Sequence, residues 1–234
     1  MATFLPEENR CYITEKLAMI GELAASMAHE IRNPLTSIRG FLQLLQGKFE
    51  PEAIEQEYFA IMFNELDKIN EILREFLSLA KPSQPQLKIV NITQLLEEAL
   101  LLAEQEALMN EVTLQRNLYN NLPLLFLDTV QIKQVVLNIL INAIQAAGPG
   151  GQVVVTCRLD ETGRSILISI RDNGPGIDKN ILPHIFEPFF TTKPTGTGLG
   201  LTISLQIIEE HGGKIVVHTE AGQGTTFNIY LPLP

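Results

Sequence analysis

The sequence predicts two architectures in series: an α-helical hairpin that pairs with a second copy into a dimeric four-helix bundle, followed by an α/β sandwich. Three observations carry this. Up to Ala80 the apolar residues recur at alternating steps of three and four, in two long runs parted by a short break at Gln46–Pro51. Residues 81–86, KPSQPQ, form a polar linker containing proline. Beyond it, short runs rich in Val, Ile and Thr alternate with helical patterns. The domains read as 1–80 and 87–234, with the linker at 81–86.

The first run spans about Glu8 to Leu45, with a seam through Leu17, Ile20, Ala24, Met27, Ile31, Leu35, Ile38, Leu42 and Leu45. His29 lies midway between Met27 and Ile31. At roughly 100° per residue this turns it about 180° from the seam, toward solvent. Pro34 removes a backbone donor and predicts a bend one turn past His29. The second run, from about Glu52 to Ala80, has its seam at Phe59, Met62, Leu66, Ile69, Leu73, Phe76 and Ala80. A single hairpin has too little core to stand alone, so pairing into a homodimer is expected.

In the second part, Leu87–Val90 reads as a strand and Asn91 as the cap of a helix to about Asn110. Strands follow near Val112–Asn117 and Leu124–Phe126. Asp128 caps a helix that runs to Ala147 and stops at Gly148-Pro149-Gly150-Gly151. Val153–Arg158 and Ile166–Arg171 read as strands, 172–198 as irregular, and Leu199–Glu210 as a helix. Lys214–Thr219 and Thr225–Leu231 close the chain as strands, and helices should cover one sheet face.

Length and composition bound the function. The chain has 234 residues, 45% hydrophobic and 19% charged, an ordinary globular balance. With 17 Lys and Arg against 27 Asp and Glu, the net charge of −10 argues against nucleic acid as a partner. It leaves room for a nucleotide, whose phosphates can be met by backbone amides, magnesium and a lysine or two. Cys11 and Cys157 have no metal spacing and no evident bridge, which points to a reducing, cytoplasmic compartment. No apolar run reaches the length of a transmembrane helix, and no signal peptide is seen. The chain enters a helix soon after MATFLPEENR, as a piece without its sensing part, and any membrane anchor, would.

Three stretches carry chemistry. Asp172-Asn173-Gly174-Pro175-Gly176-Ile177 follows a strand. One reading is an Asn-Gly hairpin turn, but no alternating strand comes directly after. The other is an adenine pocket, with Asp172 accepting from the exocyclic amine and the glycines letting backbone approach the base. Gly196-Thr197-Gly198-Leu199-Gly200-Leu201 opens a helix and suits a polyphosphate cradle. It is spaced unlike the dinucleotide fingerprint, and the segment before it is not a strand. The preceding loop holds Phe186, Phe189, Phe190 and Lys193, either a small local core or a lid whose lysine reaches the phosphates. On the helix from Asp128, Asn138 and Asn142 are spaced i, i+4 and share a face. They are structural hydrogen-bonders or neutral ligands for magnesium and phosphate, with Lys133 a further phosphate contact. His184, His211 and His218 lack metal spacing and read as structural or surface residues.

In order, AHEIRNPL, the Asn138–Asn142 helix, DNGPGI, FEPFF and GTGLGL resemble the five boxes of bacterial sensor histidine kinases. The residues KLAMIGELAASMAHEIRNPLTSIRGFLQLL and FLSLAKP look most like the sporulation kinases of spore-forming bacilli. The resemblance covers nearly the whole chain. It implies a dimerisation and phosphotransfer bundle, a gyrase-type (Bergerat) ATP-binding domain, and ATP and Mg²⁺ as cofactors. It implies that His29 is phosphorylated, that Glu30 orients the ring and takes its proton, and that Asn33 can orient water for dephosphorylation of a response regulator. Asn142 would hold magnesium directly, with Asn138 assisting through water or phosphate. Asp172, Gly174, Gly176 and Ile177 would form the adenine side; Phe189, Lys193, Gly196, Thr197, Gly198, Leu199 and Gly200 the lid and phosphate side. Thr225 would support Asp172 through water. Related ATP-hydrolysing enzymes carry a glutamate base where Asn138 stands, and Gln145 replaces a basic residue that many members have. Implied partners are a second copy, a response regulator receiver domain, and protein inhibitors of the bundle. Competing readings are a serine kinase of the anti-sigma type, and a dimeric scaffold that binds nucleotide without turnover.

Overall fold

The computed structural model describes residues 31–50, 55–80, 84–193 and 196–234. The chain divides into two compact units, with the break between residues 83 and 84.

In the first unit, α1 is helical over 31–46 and α2 is Glu55–Ala80. His29 and Glu30 lie outside the described residues, as do the seam upstream of Ile31, the linker's residues 81–83 and the side chains of Phe76 and Ala80. Pro34 sits in uninterrupted helix from 31 onward, and the upstream half of the expected bend lies outside the described residues too. The seam of α2 splits into two files. Phe59, Leu66 and Leu73 are each 6% exposed, whereas Met62 and Ile69, the alternate positions, are 37% and 41% exposed. One file is covered within the hairpin and the other is not. On α1, Ile31, Ile38, Phe41, Leu44 and Leu45 are exposed as well. The hairpin is closed by polar contacts that the apolar seam does not reveal. Arg39 pairs with Asp67 and lies over the Phe63 ring at 5.5 Å. Gln46 Nε2 donates to Gln56 Oε1 at 3.0 Å, and Phe49 packs on Phe59 at 5.6 Å between centroids.

The second unit is a two-layer sandwich. Its elements are β1 (Lys88–Val90), α3 (Ile92–Met109), β2 (Thr113–Leu118), β3 (Leu125–Leu127), α4 (Thr129–Ala147), β4 (Gln152–Leu159), β5 (Ser165–Asp172), α5 (Gly200–Glu210), β6 (Lys214–Glu220) and β7 (Gly224–Pro232). The sheet runs β2-β4-β5-β7-β6, and β1-β3 form a small antiparallel pair beside it. The β2–β4 pairing is parallel; the remaining neighbours are antiparallel. Residues alternate along β4 and β7: Val153, Val155 and Cys157, and Phe227, Ile229 and Leu231, turn under the helices and are buried. Burial pushes the Cys157 thiol up to about 12, so it stays an unreactive apolar residue.

The caps form as the sequence predicts. Asn91 accepts from the Thr93 and Gln94 amides, and Asp128 Oδ1 from those of Val130 and Gln131 at 3.0 and 3.1 Å. Asp128 does more than cap. Its Oδ2 accepts from the Gln86 amide at 2.8 Å, and its own N–H donates to His211 Nε2 at 3.0 Å. His211 Nδ1 donates in turn to the Ile207 carbonyl at 2.7 Å, so the ring clamps the end of α5 to the start of α4. Burial alone would raise the Asp128 carboxyl, but the Gln86, Gln131 and Val130 amides, with His211 beside them, hold it below the usual carboxylate range.

α4 corrects one expectation. By length and composition it is apolar enough to cross a membrane. In the fold, Ile132, Val135, Val136, Ile139, Leu140 and Ile144 are at most 1% exposed, so it is the core helix of the sandwich.

Candidate nucleotide site

Asp172 ends β5 at 2% exposure. Its Oδ1 accepts from the Gly174 amide at 2.9 Å and from the Thr225 amide at 3.2 Å. Both bonds fall on one oxygen, which fixes the carboxylate plane. Burial raises this carboxyl above its ordinary value, against the two amides that favour the charge. A buried acid at a loop mouth suits hydrogen-bond recognition of a base edge.

This corner holds contacts that the sequence did not announce. Thr225 supports Asp172 directly with its backbone amide. Its hydroxyl meets Thr219 Oγ1 at 3.1 Å. Thr219, which the sequence did not single out, accepts from the Ile177 amide at 2.8 Å and donates to the Gly224 carbonyl at 3.2 Å. The glycines, moreover, serve packing against protein backbone. A Cβ on Gly176 (φ +76°) would lie 2.4 Å from the Glu220 carbonyl oxygen, and one on Gly174 2.4 Å from that of Ala146. The loop is locked onto the β6–β7 turn and the end of α4. Asn173 is no hairpin residue: its Oδ1 accepts from the Gln152 amide at 2.7 Å, across to β4.

α4 carries the two asparagines on its half-buried face. Asn138 Nδ2 donates to Ser204 Oγ at 2.9 Å, and Ser204 donates on to the Gly200 carbonyl at 2.9 Å. A Cβ on Gly200 would meet Asn138 Oδ1 at 2.5 Å, so only glycine lets α5 start this close to α4. Asn142 Oδ1 accepts from Lys193 Nζ at 2.7 Å, and Gln145 Oε1 takes the same ammonium at 2.6 Å. Burial lowers the Lys193 ammonium from its ordinary value. Lys133 is a correction. Its ammonium pairs with Glu98 of α3 at 2.5 Å and holds that carboxyl below its usual range. Five residues before Asn138 it is turned about 140° around the helix, off the asparagine face.

The segment between these corners is anchored at its base and threaded by glycine. Ile185 and Phe186 are buried, and Thr202 Oγ1 donates to the Phe186 carbonyl at 2.9 Å. Phe189 adopts φ +66° with its ring half exposed; its N–H donates to the Gly198 carbonyl at 3.0 Å. The Gly196 amide donates to the Lys193 carbonyl at 3.2 Å, and Thr197 Oγ1 accepts from the Leu199 amide at 3.3 Å. α3 and α4 start under side-chain caps, whereas α5 has no capping side chain among the described residues. Its first amides are therefore available to an anion.

The donor set fits a magnesium-bound nucleotide. No cluster of His, Cys, Asp or Glu suited to a metal exists among the described residues. Asn142 and Gln145 instead offer neutral amide oxygens to a hard cation, and an ammonium already occupies that position. Asn33, from the other unit, is exposed on α1, and its carbonyl accepts from Ser37 Oγ at 3.2 Å. His184 Nδ1 pairs with Glu187 Oε1 at 2.8 Å, and His218 is exposed on β6.

A buried carboxylate at one end of an α/β sandwich, a paired-asparagine helix and an uncapped glycine helix start together define a Bergerat-type nucleotide-binding domain, carried behind a helical hairpin. Two family models match in that order: the His Kinase A (phospho-acceptor) domain over residues 19–85, and the Histidine kinase-, DNA gyrase B-, and HSP90-like ATPase over 127–234. The chain belongs to the sensor histidine kinase family. Sporulation kinase E of Bacillus subtilis (strain 168) is 42% identical over 227 residues, 97% of this chain and 30% of that protein. Full-length ShkA in complex with AMPPNP superposes with a TM-score of 0.78 at 28% identity, over 90% of this chain and 45% of that one. Histidine kinase ThkA, in complex with the response regulator protein TrrA, gives 0.67 at 31%, over 97% of this chain and 66% of that one. The chain spans 30% to 50% of the length of the curated relatives it matches.

Proposed function

We propose that this chain is the catalytic core of a histidine kinase that transfers the γ-phosphate of ATP to His29 and then to an aspartate of a response regulator receiver domain. The observation that carries the reading is Asn138, held by Ser204 and Gly200 where related hydrolases place a glutamate. An amide cannot deprotonate water, so bound ATP waits for a nucleophile delivered from elsewhere. The imidazole of His29, with Glu30 taking its proton, is that nucleophile, and the bond to the β–γ bridging oxygen breaks as the phosphorus–nitrogen bond forms.

Asn142 would hold magnesium, and the ion would neutralise charge on the phosphates. Asp172 would accept from the adenine amine, with Gly174, Gly176 and Ile177 shaping that side. Gly196, Thr197, Gly198, Leu199 and Gly200 would line the phosphates, the Gly196 and Leu199 amides turning to them as they leave the Lys193 carbonyl and Thr197 Oγ1. Asn33 would orient water for dephosphorylation of the regulator. The exposed file of α2, Met62 and Ile69, supports a homodimeric four-helix bundle. A protein inhibitor of the bundle would bind this same unit. The likeness to Sporulation kinase E supports a sporulation-type phosphorelay as the finer reading.

Incubation with γ-labelled ATP and magnesium tests the proposal. The protein should carry label that acid removes and alkali does not. Label that persists in His29→Ala, or the absence of any label, overturns it.

A further inference from the structure

The ammonium of Lys193 lies 2.7 Å from Asn142 Oδ1 and 2.6 Å from Gln145 Oε1. Asn142 and Gln145 are i, i+3 neighbours on α4, so their amide oxygens converge on one point. No carboxylate pairs with Lys193 among the described residues, although the chain carries an excess of acids. Its charge is met by two neutral oxygens, the ligand chemistry that a hard divalent ion also uses. One of the two is the oxygen that the proposed function gives to magnesium.

We propose that Lys193 is a built-in stand-in for magnesium: its ammonium holds Asn142 and Gln145 until a magnesium–nucleotide complex takes Asn142, and Gln145 is the residue that positions it. The inference rests on the nucleotide reading of this site. Two cations cannot share one amide oxygen, because at such separations their repulsion in a partly buried site is large. Magnesium binding and the lysine latch therefore exclude each other. The latch also holds down a strained segment. Phe189, four residues earlier, sits at φ +66° with its amide tied to the Gly198 carbonyl. When Lys193 leaves Asn142 and Gln145, the 189–193 segment loses this tie to α4, and the ammonium becomes available to the phosphates. Gln145 thus does not leave the phosphate site short of a cation. A basic residue there would repel Lys193; a glutamine receives it.

Gln145 is exposed, so Gln145→Leu removes the acceptor without disturbing the core. Two measurements on the whole chain test the proposal. In nucleotide-free protein, Gln145→Leu should speed backbone hydrogen exchange across 189–193, and Lys193→Met should do the same. In calorimetric titrations with AMPPNP, Gln145→Leu should lower the MgCl₂ concentration for half-maximal binding by about fivefold, the expected consequence of losing one hydrogen bond from the competing state. Unchanged exchange in both variants, or an unchanged or raised magnesium requirement in Gln145→Leu, overturns the latch. If wild-type protein fails to bind AMPPNP, the nucleotide reading fails instead, and the exchange measurement still decides whether the latch exists.

Discussion

Asn138 Nδ2 donates to Ser204 Oγ at 2.9 Å, and Ser204 passes the chain on to the Gly200 carbonyl. The amide proposed to stand in place of a catalytic base is thus fixed by the helix whose first amides are proposed to meet the phosphates. The two halves of the site share one hydrogen-bond network, and disturbing one displaces the other.

Gly200→Ala should show this coupling. The new Cβ would lie 2.5 Å from Asn138 Oδ1, so α5 or the asparagine must shift. Overpacking of this kind costs about 1–3 kcal/mol. Nucleotide affinity, measured by calorimetry, should fall about tenfold or more, with a far-ultraviolet circular dichroism spectrum like that of the parent.

Asp172→Asn should abolish nucleotide binding without destabilising the nucleotide-free protein. Asparagine Oδ1 can still accept from the Gly174 and Thr225 amides, while its amino group cannot accept from adenine. The pH dependence has a definite sign. Burial raises the folded-state carboxyl above its unfolded value, so its ionisation opposes folding. That penalty is absent below the unfolded value and grows as pH rises through the folded one. The Tm of Asp172→Asn relative to the parent should therefore increase from pH 4 to pH 7.

Asp128→Asn tests the opposite sign. Asparagine Oδ1 still caps α4, but its amino group cannot accept from the Gln86 amide, so the substitution removes the charge together with that one bond. The Asp128 carboxyl is held below its ordinary value, chiefly by the Gln86, Gln131 and Val130 amides against the effect of burial. Its stabilisation is present above the unfolded value and lost as pH falls through the folded one. The parent should be more stable than Asp128→Asn at pH 7, and the gap in Tm should close on acidification below pH 4.

Ile69→Glu tests the bundle. Ile69 is 41% exposed on the hairpin, in the file that Phe59, Leu66 and Leu73 leave uncovered. A charge there should break self-association while α2 stays folded. Sedimentation should give a dimer for the parent and a monomer for the variant at micromolar concentration. A dimeric variant would place the interface elsewhere.

Much of this was legible in the sequence because it is local. Asn91 and Asp128 announce helix starts through their own side chains, and the observed caps agree. The alternation in β4 and β7 marks their buried faces. The i, i+4 spacing of Asn138 and Asn142 put both on one face of α4, toward Ser204 and Lys193. Thr219 was not legible. A threonine in a strand is ordinary, and its bond to the Ile177 amide joins residues 42 apart. His211 likewise gave no sign that its ring would accept the Asp128 amide from 83 residues away.

By itself the sequence determined the order of the sandwich's elements, the caps of α3 and α4 and the buried faces of β4 and β7. Each of these follows from periodicity or from a side chain bonding within its own turn. The tertiary structure decided what each polar group bonds to. It turned Lys133 to Glu98, gave Thr225's amide to Asp172, joined Asn138 to Ser204 and set Lys193 on Asn142. These partners lie on different elements, and which of them meet depends on how α3, α4, α5 and the loops pack on one sheet.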